Sequence, residues 1–318
     1  MVDPVLSVVV PAFNEAEVLH SFLARTRAVL EATGLSWEIV FADDGSTDPT
    51  AEIIRAMHDA DPRIALVSLS RNFGKEIAMT AGLDHARGQA VVVIDADLQD
   101  PPELIGEFVR LWQAGHDVVY ARRTEREGET AAKRATAHLF YRLMNRLADR
   151  PIPADVGDFR LMSRRAVDSL LQMRERHRFM KGLFSWIGFS QVEVTYARAP
   201  RAAGTTKWNY WRLWNLSLEG ITSFSIRPLQ VASYVGFAIS MIALAYGAYF
   251  VVNTLVNGNP VAGYPSLLVI VLFLGGVQLM TLGIIGEYIG RIFNETKQRP
   301  LYLVGDVVAA VQPKGDGA

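Results

Sequence analysis

The stretch Ala90–Pro102, "AVVVIDADLQDPP", decides how the rest of the chain reads. Its first residues form a continuous apolar run rich in β-branched side chains, the pattern of a short strand buried on both faces. The run ends abruptly in Asp95, Asp97 and Asp100, three aspartates within six positions. Like charges this close repel, and the crowding is costly unless a cation, or a ligand carrying one, sits among them. Pro101 and Pro102 suit the first turn of a helix. Asp100, just before them, is expected to cap that helix. Capping does not explain Asp95 and Asp97.

The same alternation extends in both directions. "LSVVVPAF" (6–13), "WEIVFADD" (37–44), "IALVSLS" (64–70) and "DVVYAR" (117–122) read as strands. Helical patterns follow from Glu15, from a cap at Asp48 with Pro49 in the first helical position, from about Lys75, and after Pro102. Apolar strands separated by helices imply an α/β fold with a doubly wound, mostly parallel sheet covered on both faces. Ligands of such sheets bind beyond the carboxyl ends of the strands. Those ends carry "PAFNE", "ADDGSTD", "SRNFGKE" and "DADLQD". No G-x-G-x-x-G follows the first strand, and "NFGKE" lacks the preceding glycine of a P-loop. An aspartyl phosphatase also ends a strand in D-x-D, but its pattern has a threonine next, where this chain has Leu98 and Gln99.

The chain has 318 residues, no cysteine and a net charge of −1. Disulfides, thiolate metal sites and cysteine nucleophiles are excluded, and no global field points to nucleic acid. The N-terminus has no basic region ahead of an apolar one and reads as no signal peptide. From Pro228 to Gly286 there is no Asp, Glu, Lys, Arg or His. "NGNPVAGYP" (257–265) divides this run into two segments, about 229–256 and 264–289, each with the roughly 20 apolar residues needed to cross a bilayer. Arg212 and Arg227 precede them; Arg291, Lys297 and Arg299 follow. The positive-inside rule then places both termini in the cytoplasm of a cytoplasmic-membrane protein. The expected organisation is a cytosolic catalytic domain (1–200), a lid loop and interfacial amphipathic segment (201–227), the two spans (228–290) and a cytosolic tail (291–318). Trp208, Trp211, Trp214 and Leu218 recur at helical spacing in the interfacial segment.

"PAFNE", "DDGSTD" and "DADLQDPP", in this order on such a sheet, resemble a family 2 glycosyltransferase of the GT-A type. "VGDFRLMSR" (156–164), "AGTTKWNYWRLWN" (203–215), the paired spans and "GEYIGRIFNETKQRP" resemble the polyprenyl-phosphate glycosyltransferases among them. The likeness is strongest to the bactoprenol glucosyl transferases of the O-antigen modification type, through "RNFGKE", "AGLDHA", "FMKG", "LEGITSFS" and "GYPSLLV". It covers nearly the whole chain. It implies transfer of glucose from UDP-glucose to undecaprenyl phosphate with inversion, a Mg2+ or Mn2+ cofactor and a tetramer. Another sugar nucleotide as donor (UDP-GlcNAc, GDP-mannose, a modified pentose) remains open. A processive polysaccharide synthase would carry Q-x-x-R-W and more spans. A non-enzymatic scaffold would leave the strand-end clusters without a purpose.

The resemblance also implies roles. Pro11, Phe13 and Glu15 match base and ribose contacts, and Asp43 and Asp44 the carboxylates that hold the nucleoside. A turn role for "DDGSTD" is the plainer alternative. Asp95 lies toward the nucleoside and shares the metal with Asp97, its main ligand, and with Gln99. Lys75 reaches the nucleotide, or is a surface lysine. Arg122, at the end of the fifth strand, and Arg134 are assigned to phosphate, as are Arg201 and Lys207 in the lid around Gly204. Asp158 and Arg160 fall on one face of an extended segment. Asp158 matches the position usually named the catalytic base. A phosphate monoester has its second pKa near about 6 and is largely ionised already, so a second role for Asp158 is to orient Arg160 or the acceptor.

Overall fold

The computed structural model describes residues 3–123, 156–176, 178–196, 227–257 and 263–312. Arg134, Arg201, Lys207 and the tryptophan stripe lie outside the described residues, so their expected roles have no geometry here. The first half of the chain alternates β1 (Leu6–Ala12), α1 (Leu19–Ala32), β2 (Trp37–Asp43), α2 (Thr50–Ala60), β3 (Ile64–Leu69), α3 (Lys75–His85) and β4 (Ala90–Val93). β4 and β2 flank β1, β3 lies outside β2, and all four are parallel. A 3-10 turn at Pro102–Leu104 leads into α4 (Ile105–Gln113), and β5 (Val118–Arg123) follows.

Side-chain alternation sorts the core into two layers. Val8, Val10, Ile39 and Phe41 face Phe22 of α1, Ile54 of α2 and Phe108 of α4. Val9, Val40 and Ala42 face Ala78 and Met79 of α3. The second layer is unusually close: a Cβ on Gly82 of α3 would sit 2.4 Å from Val9 Cγ1. Glycine is required there for helix and sheet to meet.

Two strands complete the sheet against the direction of the rest. β6 (Val156–Ser163) inserts between β4 and β5 and is antiparallel to both. α5 (Arg164–Gln172), α6 (Met180–Trp186) and β7 (Gln191–Tyr196) follow, and β7 pairs in parallel with β5. Residues 291–318, expected as a tail, contain β8 (Val304–Val308), which pairs antiparallel with β3. The strand order is therefore β7-β5-β6-β4-β1-β2-β3-β8.

α7 (Arg227–Asn257) and α8 (Tyr264–Thr296) are the two apolar helices. Each has a stretch long and apolar enough to cross a membrane, Leu229–Tyr249 and Phe273–Thr296, with almost none of it buried against protein. At 33 residues, α8 is about 50 Å long, well over the roughly 30 Å of a hydrocarbon core. Its last turns carry charge, including the Glu287–Arg291 pair at 3.0 Å. The chain then docks on the catalytic sheet. The Arg176 amide donates to Glu295 (2.7 Å), the Arg176 guanidinium to the Arg299 carbonyl, and the Tyr302 hydroxyl to Asp84 (2.7 Å). β8 follows at once, so the end of the apolar hairpin is bound into the sheet edge.

Candidate active site

The site is built by the pairing of β4 with β6. Val93 sits opposite Arg160 in this antiparallel ladder. Two residues beyond this last pair on the two segments lie Asp95 and Asp158. Phe159 and Leu161 turn to the α1–α2–α4 layer, so Asp158 and Arg160 face α3 and α6. α3 begins there. Lys75, in its first turn, donates to Asp95 (2.7 Å) and to Asp158 (2.6 Å). One ammonium thus bridges a carboxylate from each strand, at 44% exposure of its own side chain.

Around this bridge the charges alternate. Burial disfavours the Asp158 carboxylate, but Lys75, Lys181 and Arg160 outweigh it and hold its pKa at about 2. Burial, with Asp158 beside it, pushes Glu76 up to about 7. Glu76 accepts from the Met180 amide of α6, and its Oε2 is buried with no hydrogen-bond partner among the described residues. Burial lowers Arg160 to about 10 and also lowers Lys181, against the pull of Asp158 and Glu76. Arg160 stacks 3.6 Å over the Phe184 ring. Its guanidinium donates to the backbone carbonyls of Asp158 (3.3 Å) and Gly157 (2.8 Å). Asp158 therefore orients Arg160 through its carbonyl, while its carboxylate is held by Lys75.

The acids after β2 are organised differently. Asp43 is 1% exposed and accepts from the Ser46 amide (3.1 Å) and the Ser68 hydroxyl (2.7 Å). Asp44 is 2% exposed and accepts from the Phe73 and Gly74 amides (2.7 and 2.8 Å). Both carboxylates, expected to contact the nucleoside, are engaged by groups of the surrounding loops. Asn14, at φ 54°, clamps the β1 loop to the β2 loop: its Oδ1 accepts from the Thr47 and Asp48 amides at 2.9 and 3.3 Å. Asparagine tolerates this left-handed conformation better than most residues. Asp48 accepts from the Thr50 amide (3.1 Å), the bond expected of a cap.

Past β4, Leu98 takes φ 57°, a conformation that a branched side chain adopts at a cost of about 1 kcal/mol or more. Asp97 is half-buried and accepts from the Gln99 amide (3.1 Å). Among the described residues it has no cationic partner. Gln99 is 3% exposed, and its Oε1 is buried without a hydrogen-bond partner among the described residues. Asp100 does not cap the following helix, which has no side-chain cap bond. It accepts instead from Tyr196 and Arg123.

The remaining expected residues are more dispersed. Pro11 is buried inside β1, Glu15 is half-buried, and Phe13 is exposed at the mouth of the β1 loop. Arg122 pairs with Glu193 of β7 (3.0 Å) and is not brought to the Lys75 bridge. Glu76 and Lys181 were not singled out from the sequence. Their only signal is position, within "RNFGKE" and "FMKG" beside residues that were.

Residues 7–171 match the family described as glycosyl transferase family 2, and residues 227–292 match the GtrB C-terminal hairpin. The chain belongs to glycosyl transferase family 2, and its fold is a GT-A sheet followed by the paired apolar helices. It is an enzyme that transfers a sugar, associated with a membrane through that hairpin. The bactoprenol glucosyl transferase of Shigella phage SfV is 52% identical over 94% of this chain and 97% of its own. The prophage bactoprenol glucosyl transferase homolog of Escherichia coli K12 is 50% identical over 94% and 98%. Among solved structures, glucosyl-3-phosphoglycerate synthase from Mycobacterium tuberculosis, in complex with Mn2+, UDP-glucose and phosphoglyceric acid, covers 69% of this chain and 78% of its own at 22% identity and a TM-score of 0.46.

Proposed function

We propose that the protein moves glucose from UDP-glucose to undecaprenyl phosphate at the cytoplasmic face of the membrane, with inversion at the anomeric carbon. The observation that carries this reading is the 52% identity, across nearly the full length of both chains, to a bactoprenol glucosyl transferase. A lipid-phosphate oxygen attacks the anomeric carbon as the bond from that carbon to the diphosphate breaks. UDP departs with the electron pair, and a β-linked lipid-phosphate glucose forms. The exit of α8 into β8 supports a hairpin with both ends on the catalytic side.

The chain's own groups fit this chemistry. Asp97 offers a hard oxygen ligand free of any cation among the described residues, at the end of a strand where a diphosphate would lie. Mg2+ or Mn2+ takes one or two carboxylates and completes its shell with substrate phosphates. When bound, the ion supplies charge neutralisation of the leaving diphosphate. Asp95 is already engaged by Lys75, so Asp97 is the better ligand of the two. Asp158, held at about 2, is too weak a base to draw a proton from an acceptor already largely ionised at neutral pH. Its role is positional: it holds Lys75, the half-exposed cation of the site, and through its carbonyl the buried Arg160.

The test is the full chain in bilayers with undecaprenyl phosphate, Mg2+ and a panel of UDP-glucose, UDP-GlcNAc and GDP-mannose. UDP-glucose is expected to give the highest kcat/KM. Preference for another donor would overturn the glucose assignment and leave the class standing.

A further inference from the structure

The ends of β5 and β7 and the loop after β4 meet in one knot. Arg123 and Tyr196 are the last residues of β5 and β7 and are paired in the ladder between them. Asp100 is 2% exposed and Tyr196 7%. Arg123 Nη2 donates to Asp100 (3.4 Å), Arg123 Nε donates to the Tyr196 hydroxyl (3.1 Å), and that hydroxyl donates to Asp100. Its own burial first, then the charge of Asp100 and the hydrogen bond to it, lift the tyrosine to about 12, so it stays a donor. The knot also touches β6. A Cβ on Gly157 would lie 3.2 Å from Arg123 Nη2 and 3.9 Å from Asp100 Oδ2. The absence of a side chain at Gly157 lets the guanidinium lie against the strand one residue before Asp158.

We propose that Asp100, with Arg123 and Tyr196, is a positioning unit: it holds the loop carrying Asp95 and Asp97 in register with the strand carrying Asp158. Three observations converge on this. A buried carboxylate needs partners, and this one takes both from strand ends flanking the site rather than from the helix it precedes. The loop is short and passes through the left-handed Leu98, so its far end must be pinned if Asp97 is to keep one orientation. The Lys75 bridge ties Asp95 to Asp158 from the α3 side, and the knot ties the far end of the loop to the ends of β5 and β7, against which Gly157 of β6 lies. The inference rests on the transfer reaction proposed above for its kinetic readout, but not for its structural one.

Tyr196→Phe removes one hydroxyl and leaves the packing, and Asp100→Asn removes the charge. Both are made in the full chain, with the double variant. Hydrogen exchange is followed in peptides covering 95–101 and 156–160. Expected are exchange at least tenfold faster in those two peptides and unchanged exchange in β1–β3, with a kcat three- to tenfold lower at unchanged KM for UDP-glucose. The double variant should be no worse than the poorer single, since residues acting as a unit are not additive. Arg123→Lys keeps the charge without the fork and should fall between. Unchanged exchange in both peptides overturns the proposal, as does faster exchange spread evenly over the sheet, which marks general destabilisation. If the unsubstituted protein does not use UDP-glucose, the donor assignment fails while the exchange experiment still decides the knot.

Discussion

Asp43 and Asp44 close β2; Asp95 and Asp97 follow β4; and the two strands lie on either side of β1. In sequence the two pairs look alike, acids at the end of an apolar run. In the structure they are satisfied by different means. Asp43 and Asp44 accept chiefly from backbone amides of neighbouring loops, and from Ser68. Such partners cannot move without moving the chain. Asp95 is held by Lys75, a long side chain almost half exposed, shared with Asp158, and Asp97 has no cation at all among the described residues. An amide-bound carboxylate shapes a loop. A carboxylate held by a side-chain cation, or by none, can exchange its partner for a ligand without a change of backbone. We propose that the first pair serves architecture and the second chemistry.

The largest expected effect comes from breaking the second pair. Lys75→Ala leaves Asp95 and Asp158 facing each other without the cation between them. One of two close carboxylates then takes up a proton more readily, so the Asp158 pKa rises from its depressed value. A loss in kcat of about 10²-fold is expected, the size of one removed electrostatic contact in a site, with the deficit growing as pH falls. Lys75→Arg should restore part of it. The pH–rate profile checks this, and a kcat within threefold of the unsubstituted protein would assign Lys75 to the surface. The linkage has a definite sign. A carboxyl depressed from 3.8 to about 2 contributes stability above pH 4 that is lost as pH falls toward 2. Lys75→Ala should weaken that acid-side loss of Tm.

The first pair predicts a smaller effect of another kind. Asp44→Ala strands the Phe73 and Gly74 amides in a loop where Asp44 is 2% exposed. A buried donor left unsatisfied costs about 1–3 kcal/mol. A Tm lower by several degrees is expected, with kcat at saturating donor nearly unchanged. Calorimetry and steady-state kinetics on one preparation separate the two. An unchanged Tm with lost turnover would return Asp44 to the ligand set.

This contrast also marks how far the sequence can be read. β1 to β4 and their polar ends follow from local pattern: apolar runs, a cap at Asp48, prolines where helices start. The partner of each acid does not. Lys75 and Asp158 are 83 positions apart, and their meeting depends on the antiparallel insertion of β6, a register that no periodicity encodes. "LVGDVVA" is too short and too interrupted by Gly305 to announce β8 as a sheet edge. Asp100 sits ahead of two prolines, where a cap is the local expectation, and only the ends of distant β5 and β7 give it other partners. Local signals locate the strand-end clusters; the division between structural and reactive acids is tertiary.

Glu76 sharpens the comparison at its fine end, because it is an acid next to Asp158 that neither an amide ladder nor a cation fully satisfies. Burial first, and the charge of Asp158 second, raise its pKa from 4.5 to about 7. A carboxyl whose folded pKa lies above its unfolded value favours the folded state at low pH, and that contribution is lost as pH rises through about 7. Stability of the unsubstituted protein should therefore decline between pH 5 and 7.5. Glu76→Gln stays neutral and keeps a carbonyl to accept from the Met180 amide. Its Tm should be flatter across that window, with a gain of a few degrees at pH 7.5. Parallel Tm–pH curves for the two proteins would mean that Glu76 is ionised throughout, compensated by Lys181 and Lys75. Glu76 would then be charged beside Asp158, and the contrast with Asp43 and Asp44 would rest on the kind of partner alone, side-chain cation against backbone amide.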